Sequence, residues 1–199
     1  MKIGLAVEGG GMRGVISAAM LSALEDLGLG SAFDAVYGCS SGSMNGAYFL
    51  AGECWYPLSI YYDDLASKRF IDFRRPLRGQ SIIDLDYVFD EIVERRKPLD
   101  FARVLSSGTA FHVAITSVER QATVIVADFE DGADLKATLR ASSWLPGAVR
   151  GTTMWRGERA VDGGLLTAHP YALAKDDCTH VLSLSTHHMH AERNYNAVA

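Results

Sequence analysis

The chain has 199 residues, 48% hydrophobic and 22% charged, which is ordinary soluble usage and length enough for one buried core. Its net charge of −5 supplies no global basic field for nucleic acid. Cys39, Cys54 and Cys178 carry neither a disulfide framework nor metal spacing, which fits a reducing compartment.

Residues 3–7 are predicted to form a short buried strand that runs into Gly9-Gly10-Gly11. The apolar run before Glu8 is too short for a signal-peptide core, so a cytoplasmic protein is expected. From Arg13 the pattern turns helical, with Ile16, Met20, Ala23, Leu24 and Leu27 on the predicted inner face and Gly28 as the stop. A second strand covers 35–39, and 42–51 is a small-residue helix, apolar nearly all round and therefore central. The charge-free stretch 35–52 is too rich in Gly, Ser and Asn for a membrane span, which takes about 20 predominantly apolar residues.

Residues 53–100 are less regular. Ser81, with Asp84 three positions on, is predicted to cap a helix that turns Leu85, Val88, Phe89 and Ile92 inward. Segments 111–118 and 123–127 are β-rich and joined as a hairpin by Glu119-Arg120-Gln121. A helix over 134–144 ends at Pro146-Gly147, a short strand over 159–161 delivers Asp162, and 180–185 is the final strand. Strands alternate with helices early and pair antiparallel later, which predicts an α/β sandwich with a mixed sheet. No repeat, low-complexity tract or linker divides residues 1–199, so one domain is expected.

Three motifs carry chemistry. Gly38-Cys39-Ser40-Ser41-Gly42 is a G-x-S-x-G between strand and helix, a turn that exposes a nucleophilic hydroxyl near a helix N-terminus. Gly9-Gly10-Gly11-Met12-Arg13-Gly14 leaves backbone N–H groups unshielded before a helix, which suits a developing oxyanion. The same letters satisfy the dinucleotide G-x-G-x-x-G, but the second strand ends in Cys39-Ser40 rather than in the acid that would hold a ribose. Asp162-Gly163-Gly164, alone merely a turn, supplies a carboxylate able to take the hydroxyl proton.

In this order the three motifs resemble the patatin-like phospholipases, whose pattern is G-G-G-x-[RK]-G, then G-x-S-x-G, then a late D-G-[GA]. The segment Arg140-Ala141-Ser142-Ser143-Trp144-Leu145-Pro146-Gly147 is similar to one that often precedes the family's aspartate. The resemblance implies a three-layer α/β/α sandwich around a mostly parallel mixed sheet. It also implies a serine–aspartate dyad acting on lipid acyl esters without metal or organic cofactor. Ser40 would attack and Asp162 accept its proton. Amides around Gly9, Gly10, Gly11 and Gly14 would hold the oxyanion, and Arg13 would anchor the loop or meet an anionic headgroup. Gly38, Gly42, Gly163 and Gly164 would shape the turns. Ser41 and the run Thr167-Ala168-His169-Pro170 depart from the pattern, and family catalytic domains are often longer than this chain.

Two rival readings stay open at this point. His169 or His180 would complete a Ser-His-Asp triad in an ordinary α/β hydrolase, although the elbow sits early for that fold. Alternatively the fold serves as a lipid-binding module. Segment 68–78 mixes five basic residues with Phe70 and Phe73: it is either a membrane-docking surface or a solvated loop with buried aromatics, the latter favoured. His187-His188-Met189-His190 reads as a solvated tail rather than a metal site, and His112 as a satisfied core histidine.

Overall fold

A seven-stranded sheet organises the chain in the computed structural model, which describes residues 1–167 and 169–187. In its parallel half, β1 (Ile3–Val7) lies between β2 (Ala35–Cys39) and β7 (His180–Leu184), and β2 pairs onward with β3 (Ala110–Ser117). The other half is antiparallel: β4 (Ala122–Val126) and β6 (Glu158–Asp162) pair with β3, and β5 (Thr153–Trp155) with β6. The mostly parallel arrangement therefore holds on the side that carries the G-x-S-x-G, and the late strands make the sheet mixed.

The helices are α1 (Gly14–Asp26), α2 (Ser41–Ala51), α3 (Trp55–Ile60), α4 (Phe101–Leu105), α5 (Gly132–Ser142) and α6 (Tyr171–Ala174), with π-helical stretches at Tyr61–Leu65 and Tyr87–Arg96. Successive strand residues face opposite sides of a sheet, and the two sides here differ in thickness. Leu5, Val7, Val36 and Val113 pack against Leu21 of α1, Tyr48 of α2, Leu139 of α5 and Phe89 of the second π-helix. On the other side Ala6, Ala35 and Tyr37 meet Ala174, with Leu173, Cys178 and Val181 around it. Among the described residues that second helical layer is α6 alone.

Local signals placed most elements well. Gly28, at φ 72°, ends α1 as expected. Helix α2 buries eight of its eleven residues. Asp131 caps α5 by accepting the Asp134 N–H at 2.8 Å. Two expectations are corrected. The cap of the 85–96 region is Asp84, which accepts the Tyr87 N–H at 3.0 Å, while Ser81 Oγ accepts the Arg150 N–H at 3.1 Å. Helix α1 is turned from its predicted face: Gly14, Ser17, Ala18 and Leu21 are buried, whereas Ile16 is 41% and Leu27 72% exposed. Close packing of α1 on α2 selects the side with small residues over the more apolar one.

Candidate active site

Strand β3 acts as the ruler for this site. Val113 and Ala114 pair with both β2 and β4, so those two strands lie on opposite edges of β3. Ile115 to Ser117 pair with both β4 and β6, which puts β6 on the same edge as β2. Cys39 stands opposite Ala114 and Asp162 opposite Ile115, adjacent positions on one strand. A parallel strand and an antiparallel strand thus arrive end to end, and residues 122 apart in sequence meet: Ser40 Oγ donates to Asp162 Oδ2 at 2.7 Å.

Ser40 has φ 55° and ψ −135°, a conformation that costs a non-glycine residue on the order of 1–3 kcal/mol and lifts the hydroxyl out of the strand. Its surroundings over-determine that geometry. The Ser40 N–H donates to Ser142 Oγ at 2.9 Å, Ser142 Oγ donates to the Ala114 carbonyl at 2.7 Å, and Ser43 Oγ donates to the Ser40 carbonyl at 2.6 Å. The strand and helix flanking Ser40 nearly touch the neighbouring loop. A Cβ on Gly42 would stand 2.2 Å from the Val7 carbonyl oxygen, which no rearrangement of side chains relieves.

Asp162 is buried, and burial raises its carboxyl to a pKa of about 6, opposed by hydrogen bonds from Ser40, Gly164 N–H and Cys39. The Gly164 amide donates to Oδ1 at 2.7 Å and the Cys39 thiol approaches the same oxygen at 3.9 Å. Gly163 lies against the Ala114 carbonyl, where a Cβ would come within 2.2 Å. Cys39 is buried, and burial pushes its thiol well above the ordinary range, so it packs beside the strand as a neutral group. The segment noted before Asp162 serves both partners. Ser142 supports Ser40, and the Trp144 carbonyl accepts the Asp162 N–H at 2.9 Å.

The glycine loop crosses in front of Ser40. Gly10 and Gly11 take φ of 129° and 58°, and their amides have no hydrogen-bond partner among the described residues. Gly11 and Ser40 line one cavity, while a Cβ on Gly9 would meet the Cys39 carbonyl at 2.4 Å. Two networks brace the loop. Asn45 Nδ2 donates to the Gly14 carbonyl at 2.8 Å and to Ser17 Oγ at 3.1 Å, and Ser17 Oγ donates to the Glu8 carbonyl at 3.0 Å. On the other side Glu8 accepts from Ser185 Oγ at 2.7 Å, from Thr186 N–H at 2.6 Å and from His187 Nδ1 at 2.8 Å. Burial alone would raise the Glu8 pKa; these hydrogen bonds and His169 bring it below the usual carboxylate value. Arg13 lies 3.1 Å from His187 Nε2, and since a guanidinium only donates, that nitrogen accepts.

His187, exposed as expected of a solvated residue, is nevertheless held between Glu8 and Arg13; His188, Met189 and His190 lie outside the described residues. His169 Nε2 is 3.3 Å from Ser183 Oγ and 3.7 Å from Glu8, and His180 contacts Thr179. Among the described residues, the Ser40 hydroxyl and the Asp162 carboxylate hydrogen-bond to each other, and the carboxylate also to Gly164 and Cys39, and neither bonds to either histidine. His112 stacks on Tyr37 at 4.4 Å, yet its Nε2 is buried without a hydrogen-bond partner, so the expected satisfied histidine is held by ring contact instead. No cluster of His, Cys, Asp or Glu among the described residues is arranged to hold a metal ion.

From Ser40 an apolar cavity of about 100 Å³ runs inward. Met44 and Tyr48 of α2, Ile60 of α3, and Val88, Phe89 and Val93 of the second π-helix form its walls. The irregular region 53–100 thus supplies most of a pocket that the motifs alone did not announce.

The site is thus a strand-end serine hydrogen-bonded to a buried aspartate, beside a glycine loop and an apolar cavity. The chain belongs to the patatin-like phospholipase family, whose model matches residues 5–175. It is similar to the uncharacterized protein YjjU of Escherichia coli strain K12, 29% identical over 173 residues that cover 85% of this chain and 47% of YjjU. Its fold is similar to that of VipD from Legionella pneumophila, with a TM-score of 0.52 and 13% identity over 83% of this chain and 46% of that one. The chain spans about half the length of the relatives it matches. No helix among the described residues is long and apolar enough to cross a membrane.

Proposed function

We propose that this chain, as one patatin-like unit, hydrolyses carboxylic esters of lipids through an acyl-enzyme on Ser40. The observation that carries the reading is the 2.7 Å hydrogen bond from Ser40 Oγ to the buried Asp162 carboxylate at the mouth of an apolar cavity. Ser40 Oγ attacks the ester carbonyl carbon as Asp162 takes its proton, and the carbonyl oxygen becomes an anion held by the Gly10 and Gly11 amides. Collapse breaks the ester C–O bond, and the proton on Asp162 passes to the departing alkoxide. Water then attacks the acyl-enzyme, again giving a proton to Asp162, and Ser40 leaves protonated as the fatty acid is released.

Several features support a dyad over a triad. Among the described residues, the groups that hydrogen-bond to the Asp162 carboxylate are Ser40, Gly164 N–H and Cys39, with no histidine. A carboxylate is a weak base toward a hydroxyl, and the raised pKa of about 6 brings it closer to the task. The apolar walls suit an acyl chain, and free cysteines, two of them buried, suit a reducing cytoplasm.

Fluorophosphonate labelling with peptide mass spectrometry, followed by a panel of phospholipid, lysophospholipid and glyceride esters, tests the proposal. An adduct on Ser40 that Asp162→Asn abolishes is the expected result. A folded protein that takes no label and turns over no ester would leave a lipid-binding module as the reading.

A further inference from the structure

The segment 68–81 leaves the body of the molecule on a narrow neck. There the Asp72 N–H donates to the Ile82 carbonyl at 3.0 Å, the Asp84 N–H donates to the Phe70 carbonyl at 3.0 Å, and Ile71 and Ile83 form an antiparallel bridge. Beyond it, Arg75–Arg78 make a single 3-10 turn closed by Gly79. Phe70 and Ile83 of the neck line the cavity that opens at Ser40. Past the neck, Phe73 is 78% and Leu77 88% exposed, the highest values among described large hydrophobic residues after Met1.

The charges on this projection are equally one-sided. Arg69 pairs with Glu91 and Arg75 with Asp84. Lys68, Arg74 and Arg78 have no ion-pair partner among the described residues, and neither has Arg150, whose guanidinium donates to the Gly79 carbonyl at the base of the turn. The acid within the projection is Asp72, whose carboxylate accepts the Arg74 N–H at 2.9 Å. A chain of net charge −5 thus gathers uncompensated cations around two outward apolar side chains. That pairing matches a lipid interface, where phosphates lie directly above acyl chains, better than a protein surface.

We propose that the 68–81 projection docks this chain on an anionic lipid bilayer. Phe73 and Leu77 enter the interface while Lys68, Arg74, Arg78 and Arg150 meet lipid phosphates. Because the neck forms part of the cavity wall, docking sets that cavity beside the acyl chains it is shaped to receive.

The test is vesicle flotation of the Ser40→Ala protein, which separates docking from hydrolysis, so failure here leaves the reaction untouched and the reverse. Vesicles of phosphatidylcholine alone are compared with vesicles containing phosphatidylglycerol, at low and at higher salt. Binding to the anionic vesicles that weakens with salt is the expected result. Arg74→Ala with Arg78→Ala should weaken it about 25-fold, on the basis of roughly a fivefold contribution from each basic residue. Phe73→Ser with Leu77→Ser should weaken it at every salt concentration, and unchanged thermal midpoints would certify the fold of both variants. Equal binding to both vesicle types, no binding at all, or variants that bind like the parent would overturn the proposal. So would a concentration-dependent dimer, seen by ultracentrifugation, that the same substitutions abolish.

Discussion

The Ser40–Asp162 site and the 68–81 projection sit at opposite extremes of constraint. Around Ser40, three strands converge, glycines stand where a methyl group would overlap backbone, and the hydroxyls of Ser43 and Ser142 fix the Ser40 backbone. The projection is tied down at its neck and presents its apolar and basic side chains to solvent. The difference fits the two proposals: preorganisation is what a site of developing charge would need, and exposure is what a docking surface would need. Substitutions at the first should cost turnover, and substitutions at the second should leave stability alone.

The largest effect is expected from Ser40→Ala. Turnover of any ester substrate should fall on the order of 10⁴-fold or more, with the thermal midpoint kept, because Ala removes only the attacking atom. Asp162→Asn should follow at about 10³-fold, measured as kcat/KM. In the unmutated protein kcat/KM should decline as pH drops through about 6, where burial has placed the Asp162 pKa.

That same shift makes a stability prediction of definite sign. The folded pKa of about 6 lies above the ordinary carboxylate value, so between the two pH values the folded state binds more protons than the unfolded one. Stability therefore falls as pH rises through that window, by about 3 kcal/mol for a shift of roughly two units. Asn carries no such penalty. Asp162→Asn should unfold at higher denaturant concentration than the parent at pH 8, and the gap should close below about pH 4. An equal midpoint at both pH values would mean that Asp162 is not held in a desolvated site.

Ser142→Ala sharpens the picture at smaller scale. It leaves the Ser40 amide without its acceptor and should lower kcat by roughly 10-fold to 100-fold with a loss of about 1–3 kcal/mol in stability. The smallest effect belongs to the projection: Phe73→Ser with Leu77→Ser should change unfolding free energy by no more than about 0.5 kcal/mol. A larger loss in denaturant titration would place those side chains in the core after all.

Where the sequence could be read, its signals were local. Hydrophobic periodicity located β1, β2, β3 and α2, and Gly28 ended α1, because each is governed by neighbours a few residues away. Strand β5 and helices α3, α4 and α6 are short, between three and six residues, and hold too little periodicity to be read. The buried face of α1 was misjudged because the strongest apolar stripe lost to the tighter fit of Ser17 and Ala18. Asn45, Ser142 and Glu8 had no motif to mark them. Each matters through a partner far away in sequence, and only Ser142 fell in a segment, 140–147, marked by its likeness to one that precedes the family's aspartate.

The ordered motifs, and with them the candidate nucleophile, acid and oxyanion loop, were legible from residue order alone, since they depend on residue type and on strand-to-helix turns. That Ser40 and Asp162 touch, that His169 and His187 lie at Glu8 instead, and that residues 53–100 wall a cavity is visible only in the folded chain. Those outcomes follow from the register of β2 and β6 along one edge of β3 and from burial, and both are properties of pairings between distant segments that no local pattern encodes.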